Sequence, residues 1–473
     1  MKEYDVITIG TGSAMIVVDG MMRRNPQIKV AVIDKDEPGG ICLTRGCIPS
    51  KILLYPAELI RTIESAAAFG ISVDIKGVDF SKVMGRMTSL IDHDVNQIRQ
   101  GLTESPNIDY YHAPAQFVGE YTLKVDNEVI TSRMIILGIG SKPIIPPIVG
   151  LEAIGYHTSD TVLYERKLPS SVAIVGGGYI AAEYAHFFSA MGSKVTIVGR
   201  NQQFLPQEEP EVSALATREL GRHATILTNC EVLRAEKTAT GKKKLFAVDR
   251  GTGEKKEITV DEIIIATGRG PTTDILHPER SQVKTDEKGW IIVNEFLETS
   301  KPNVWALGDA HGKYPFKHVA NLDAEIIYYN AVLNQRIPVD YHAVPHAVFT
   351  HPEIASVGMR EKEAVSRYGK DEILIGFERY EDTAKGEAMA VKDYFVKVIL
   401  QRDNLRILGA HIIGPDASIL IQEIINLMYT REQSAKPMLD AMHIHPALNE
   451  VVQRAFQATM TLEEYHHQLE HGR

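Results

Sequence analysis

The sequence predicts an α/β protein with two Rossmann-like dinucleotide-binding domains followed by a C-terminal α+β domain. Three observations carry this. The chain has 473 residues, enough for three domains at about 150 residues each. A strand, glycine turn and helix open the chain at YDVITIG (4–10) and return at SVAIVGGGYIAAEYAHFFSAMG (171–192), an internal duplication of one βαβ unit. After about residue 343 the pattern changes to strands that suggest an antiparallel sheet, in AVFTHPEIASVG, FVKVIL and ILGAHIIG, with helical stretches at 417–430 and 446–460.

Each element follows from local composition. YDVITIG is apolar and β-branched, a buried strand, and KVAVID (29–34) is a second strand closed by an acidic residue. MIILGIGSKP (134–143) and EIIIATGRGP (262–271) are strand-like, end in small residues and bracket the second βαβ unit, whose own second strand is KVTIVGR (194–200). NVWALGDA (303–310) is another apolar strand running into Gly-Asp. These elements place the domains at 1–150 plus 271–342, 151–270 and 343–473. The tail EEYHHQLEHGR (463–473) is polar, and its histidines are read as solvated, so no metal site is expected.

The net charge of -10 is spread along the chain without a long run of one sign, which argues against a nucleic-acid partner. No apolar run approaches the roughly 20 residues of a membrane span. Residues 1–15 lack the cationic and apolar regions of a signal peptide. Three cysteines in the whole chain is the usage of a reducing compartment, and a cytoplasmic location is expected. Cys230 stands alone and reads as a packed thiol.

The first dinucleotide fingerprint is Gly10 and Gly12, with Met15 at the position usually held by Gly or Ala. Such a turn lets backbone approach a pyrophosphate, which then sits on the helix N-terminus. Asp34, at the end of the next strand, is placed to accept hydrogen bonds from ribose hydroxyls. The second fingerprint, Gly176, Gly178 and Ala181, lies between two good strands. Two such sites suggest two dinucleotides, such as FAD and NAD(P). Between them lies GGICLTRGCIPSK (39–51), which carries the only close cysteine pair, Cys42 and Cys47. In a regular helix, Cα atoms five residues apart are about 8.6 Å from each other, and a disulfide needs roughly 4.4–6.8 Å. A bridge therefore requires a distorted turn, which Gly46 and Pro49 make plausible. A thiol near a helix N-terminus also has its thiolate favoured. Two thiols are too few ligands for structural zinc.

GGICLTRGCIPSK resembles the redox-active segment of the flavoprotein disulfide reductases, a family that includes dihydrolipoamide dehydrogenase, glutathione reductase, mycothione reductase and mercuric reductase. ATGRGP, LGDA (307–310) and HIHPALNE (443–450) resemble further motifs of the family, in the same order along nearly the whole chain. The resemblance implies bound FAD, use of NADPH or NADH, and a C-terminal dimerisation domain in an obligate homodimer. It assigns Cys42 as the interchange thiol that meets substrate and Cys47 as the thiolate lying against the flavin. Lys51 is implied beside the flavin and paired with Glu183, with Tyr179 over the flavin face. Asp309 is implied at the ribityl chain, with Gly40, Ala115, Gly308 and Gly268 among the further cofactor contacts. His445 with Glu450 is implied as the acid–base pair acting on the partner's cysteines. The residues suit that chemistry, since an imidazole titrates near neutrality and a carboxylate fixes its tautomer.

No cysteine follows Cys230, which argues against mercuric reductase and the large thioredoxin reductases, with their C-terminal cysteine relay. Two substrate readings stay open. GTGS, AEYAHFFSAMG, KHVANLDAE and HPALNEVV favour a reductase of a low-molecular-weight thiol disulfide. GCIPSK favours a dihydrolipoamide dehydrogenase that oxidises protein-bound dihydrolipoamide with NAD. At the end of KVTIVGR, Gly199 stands where NAD-specific units carry an acid, and Arg200 follows. The missing carboxylate and the added guanidinium favour NADPH, although Pro206 stands where a second arginine is usual. Arg45, between the cysteines, replaces a small or apolar residue, and it is either solvated or a fixed charge favouring a thiolate or an acidic disulfide.

Overall fold

The computed structural model describes residues 1–471; Gly472 and Arg473 of the polar tail lie outside the described residues. Two five-stranded parallel sheets dominate the first two thirds. In the first, the strands run in the order Val304–Ala306, Ile135–Leu137, Val6–Ile9, Val30–Ile33, Ile108–Tyr111. In the second, the order is His157–Thr158, Glu262–Ile265, Ser171–Val175, Lys194–Val198, Ala224–Leu227. The central strands are buried on both faces, as their unbroken runs of Val and Ile require.

The duplication visible in the motifs extends to the backbone. Gly10 (φ 105°) and Gly176 (φ 139°) each end the central strand of a sheet. A Cβ on Gly10 would lie 2.1 Å from the carbonyl oxygen of Gly138, and one on Gly176 would lie 2.1 Å from that of Ala266. In both units, therefore, the first glycine lets the turn press on the neighbouring strand. Those neighbours are the two bracketing segments, MIILGIGSKP and EIIIATGRGP.

The C-terminal third forms a six-stranded antiparallel sheet in the order Pro345–Val348, Glu353–Gly358, Ile407–Gly414, Phe395–Gln401, Ile373–Arg379, Thr459–Thr461. Helices Ala417–Met428 and Glu450–Gln457 pack on it through Leu420, Ile424, Val452 and Phe456. The tail is not simply solvated. Residues Leu462–His471 form a helix in which Tyr465 is buried and donates to Glu211 at 2.6 Å, while His466 pairs with Glu361 at 2.7 Å.

Between the sheets, helix Cys47–Ser65 lies against helix Tyr179–Met191. Leu53, Leu54 and Ala57 share a core with Tyr184, Phe187 and Phe188. Helix Phe80–Glu104 closes this core, with Phe80 6.1 Å from Phe187 between ring centroids. Among the described residues, no helix is long and apolar enough to cross a membrane.

Candidate active site

The helix bearing Cys42 covers only Gly40–Arg45, and a new helix starts at Cys47. Gly46 between them has φ -130° and ψ -119°, and a Cβ there would lie 2.8 Å from the carbonyl oxygen of Ile41 and 3.2 Å from the Cα of Cys42. The break is thus at Gly46, whose backbone folds onto the Cys42 segment. Pro49 sits buried in the first turn of the second helix, where a missing N–H costs nothing. The result is that the two cysteines, both free in this structure, face each other across the break and line the same cavity.

The pair is electrostatically asymmetric. Cys47 is lowered to about 7 by the hydrogen bond from Cys42 and by the Lys51 ammonium, against the opposing effect of burial. Cys42 is pushed well above the ordinary thiol range by the same hydrogen bond and by burial. Of the two, Cys47 is therefore the thiol that ionises first, and Cys42 holds its proton longer.

Packing of the two helices brings Lys51 to Glu183 at 2.8 Å, an ion pair in which the carboxylate is buried. The Lys51 ammonium also lies 4.7 Å from the centroid of Phe349, whose backbone N–H donates to Glu183 at 3.1 Å. Tyr179, at the start of its helix, has its phenol pushed up to about 12 by burial.

These groups line one cavity of about 540 Å³, within the usual range for a cofactor site. Its walls include Gly10, Gly12, Asp34, Gly40, Cys42, Cys47, Lys51, Ala115, Tyr179, Glu183, Gly308 and Asp309. The walls fit FAD. Gly12 and Gly40 face each other so closely that a Cβ on Gly40 would lie 2.7 Å from the Cα of Gly12, leaving a side-chain-free cradle. At the close helix–strand contact the small residue is Ala14, fully buried, and Met15 is only partly buried.

Several residues of this site gave no signal in the sequence reading. Thr11 donates its backbone N–H to Asp34 at 2.9 Å and accepts the Gly39 N–H at 2.9 Å, knitting the first turn to the cysteine segment. Asp323 is fully buried and accepts from the Gly308 N–H at 2.8 Å, from Tyr341 at 2.6 Å, and pairs with His311 at 2.9 Å. It therefore holds the turn that presents Asp309. Ser141 donates to Asp309, and Lys317 donates to Ser13 at 2.8 Å. The last contact joins the first fingerprint to KHVANLDAE, a segment the sequence had singled out without a contact.

The other expected residues lie elsewhere. Gly176, Gly178 and Ala181 form the turn of the second parallel sheet, and nothing lies within 4 Å of a Cβ built on Gly178. That open approach suits a second dinucleotide. Gly268 (φ 117°) turns the chain out of this sheet, its carbonyl accepting from the Ile144 N–H at 2.9 Å. Arg200 is exposed at the end of strand Lys194–Val198, and its carbonyl accepts from Arg250 at 3.1 Å.

His445 is also outside the cavity lining, with its side chain 66% exposed. Its Nδ1 is 2.9 Å from Glu450, which also accepts the Ala447 N–H at 3.1 Å. These two bonds, the His445 one foremost, hold the Glu450 carboxyl below its usual range. His443 differs: its side chain is 9% exposed and 3.9 Å from Glu423. Of the two histidines, His445 alone offers an accessible Nε2 with its other nitrogen fixed by a carboxylate.

Comparison with known proteins agrees with this geometry. A family profile described as pyridine nucleotide-disulphide oxidoreductase matches residues 4–324, and one described as its dimerisation domain matches residues 344–456. Mycothione reductase of Mycobacterium tuberculosis is 36% identical over 466 residues, 96% of this chain and 99% of that protein. Dihydrolipoyl dehydrogenase of Synechocystis is 31% identical over 475 residues, 96% and 98% of the two chains. Among solved structures, a Cu(II) complex of the HOCl-induced flavoprotein disulfide reductase RclA from Escherichia coli superposes with TM-score 0.85 at 26% identity, covering 97% of this chain and 99% of the other. The chain belongs to the pyridine nucleotide-disulphide oxidoreductases, enzymes that use FAD and a nicotinamide nucleotide.

Proposed function

We propose that this protein is a cytoplasmic, NADPH-dependent reductase of a low-molecular-weight thiol disulfide. It works as a homodimer whose cysteine pair and histidine come from different chains. The observation that carries the redox reading is the placement of Cys42 and Cys47 on either side of the Gly46 break, lining the glycine-walled cavity together with Lys51. Bound FAD supplies a two-electron relay between a reduced nicotinamide and the Cys42–Cys47 disulfide.

The protein's own groups account for the rest. Gly10, Gly12, Gly40, Ala115, Gly308 and Asp309 would hold FAD, and Gly176, Gly178 and Ala181 the nicotinamide nucleotide. Lys51, fixed by Glu183, keeps positive charge beside Cys47. In the reduced pair, Cys42 attacks one sulfur of the substrate disulfide, giving up its proton to the partner's His445. A Cys42–substrate disulfide forms, and the substrate S–S bond breaks. The first thiolate leaves with the proton returned by that imidazole. Cys47 thiolate then attacks Cys42, the Cys42–substrate bond breaks, the internal disulfide re-forms, and the second product leaves as a thiolate that takes its proton from solvent.

The shared site is supported by the exposure of His445 and of its apolar neighbours, Met442 fully exposed and Ile444 at 77%. The match to a dimerisation domain points the same way. NADPH is supported by Arg200, which has neither acid nor bulk at Gly199 before it, and by Arg250, whose guanidinium binds the Arg200 carbonyl. Arg250, in the turn between strands Lys243–Asp249 and Lys255–Val260, thus supplies a second cation where Pro206 supplies none. A small disulfide is favoured by the similarity to mycothione reductase over nearly the whole chain.

Steady-state kinetics of the purified protein tests this. NADPH and NADH are each paired with lipoamide and with small thiol disulfides. The expected result is a higher kcat/KM with NADPH and with a small disulfide. At least tenfold better use of NADH together with lipoamide would assign dihydrolipoamide dehydrogenase instead.

A further inference from the structure

Arg45 is the residue of the cysteine segment that the redox reading leaves unexplained. It is neither solvated nor a free charge facing the thiols. Its side chain is 21% exposed, and its guanidinium is shared between Asp36 at 2.5 Å and Asp160 at 3.2 Å. Asp36 lies just beyond strand Val30–Ile33 of the first parallel sheet, and Asp160 lies just beyond strand His157–Thr158 of the second. One guanidinium therefore joins the two sheets to the helix that carries Cys42.

The surrounding charges hold this arrangement. Burial alone would raise the Asp36 carboxyl, but Lys35 and Arg45 outweigh it and hold the group below its usual range. Asp160 has a second cation, Arg269, at 3.3 Å. Arg269 donates to the Ser141 hydroxyl at 2.7 Å and the Ser141 carbonyl at 2.9 Å, and Ser141 donates to Asp309. Within the segment, Arg45 also donates to the Thr44 hydroxyl at 3.2 Å, and Thr44 donates to the Gly40 carbonyl at 2.9 Å.

A six-residue helix has little stability of its own. What keeps Gly40–Arg45 in place decides whether Cys42 faces Cys47, because the Gly46 break follows directly. We infer that Arg45 is a positioning residue: by clamping the end of this helix to Asp36 and Asp160 it keeps the two thiols apposed and so sets how readily they form their disulfide. A planar guanidinium can serve two carboxylates at once, which an ammonium or an apolar side chain cannot do in the same geometry.

The inference rests on the Cys42–Cys47 redox reading, and the test separates the two. FAD-loaded wild type, Arg45→Met, Arg45→Lys, Asp160→Asn and the Arg45→Met/Asp160→Asn double variant are equilibrated in dithiothreitol redox buffers. The disulfide fraction is read by alkylation and mass spectrometry. Arg45→Met and Asp160→Asn are each expected to lower the equilibrium constant for the internal disulfide by about tenfold. The double variant falls no further than either single one, and Arg45→Lys recovers part of the loss. In turnover, Arg45→Met affects carboxylate-bearing and neutral disulfides equally. A wild-type equilibrium in Arg45→Met overturns the inference. Additive losses in the double variant overturn the clamp through Asp160. If Arg45→Met does not retain FAD, the isosteric Asp160→Asn carries the same test, and a wild-type equilibrium there is equally decisive. A wild-type protein that forms no reversible Cys42–Cys47 disulfide would overturn the redox reading itself.

Discussion

Cys47 heads a helix of 19 residues, accepts a hydrogen bond from Cys42 and lies near the Lys51 ammonium. Each of these favours its charged form. A thiol lowered to about 7 is thiolate above that pH and is protonated as the pH falls through it. In the two-electron-reduced, FAD-loaded protein, a long-wavelength charge-transfer absorbance from the Cys47 thiolate to the flavin is expected, rising with a midpoint near 7 and absent in Cys47→Ser. Absorbance flat from pH 5 to 9, or retained in Cys47→Ser, would reverse the roles given to the two thiols. Replacing His445 with Ala should lower disulfide turnover by about 10²-fold or more, the usual yield of a general acid–base group. Reduction by NADPH in stopped flow should keep its rate, since in the proposed cycle His445 acts only in thiol exchange and it lies outside the cavity lining. Equal slowing of both would count against that division. At this scale the sequence was informative wherever a contact lies between neighbours in the chain, as for His445 with Glu450. Arg45 was opaque because its second partner, Asp160, is distant in sequence, and no local pattern encodes that contact.

The break at Gly46 shows what a single element contributes. A continuous helix would separate the thiols, and the two-helix arrangement needs a residue without a side chain where the backbone folds onto Ile41 and Cys42. Gly46→Ala places a Cβ 2.8 Å from a backbone carbonyl that cannot move aside easily. The expected outcome is a folded protein that binds FAD but forms the internal disulfide at least about tenfold less readily, a displacement worth roughly 1–3 kcal/mol of strain. Thiol titration after oxidation measures it; a full-strength disulfide would show that the break has another cause. The strands and glycine turns of both βαβ units were legible because buried parallel strands are unbroken apolar runs. Helix Phe80–Glu104 and the antiparallel strands between 230 and 260 were not singled out. Their apolar residues are spaced among polar ones, and their identity depends on what they pack against. The cavity was legible as a list of residues but not as a shape. Asp323, which holds the Gly308–Asp309 turn, is a buried carboxylate whose partners lie at 308, 311 and 341.

Across the whole molecule, a buried ionic cluster joins the second parallel sheet's domain to the antiparallel one. Lys397 is fully buried, with Glu209 at 3.0 Å, Glu211 at 2.5 Å and Glu361 at 2.7 Å. The ammonium occupies the centre of the three carboxylates, so it takes the place that a metal ion would need. Lys397→Met leaves those carboxylates without their cation and should cost about 3–5 kcal/mol, seen as a lower urea midpoint with FAD bound; an unchanged midpoint would mean the carboxylates find protons or water at little cost. Assembly sets the remaining requirement. His445 is not among the residues lining the thiol cavity of its own chain, so mixing His445→Ala with Cys42→Ser subunits should raise the activity above that of either homodimer. No recovery in verified heterodimers would place the whole site in one chain. The central claim is that electrons from the nicotinamide nucleotide reach substrate through Cys42 and Cys47. Its most direct test is anaerobic addition of NADPH to the oxidised, FAD-loaded protein, followed by alkylation and peptide mass analysis. The account predicts that one equivalent converts a Cys42–Cys47 disulfide into two alkylated cysteines, with Cys230 unchanged. Bleaching of the flavin while Cys42 and Cys47 stay unlabelled would contradict it.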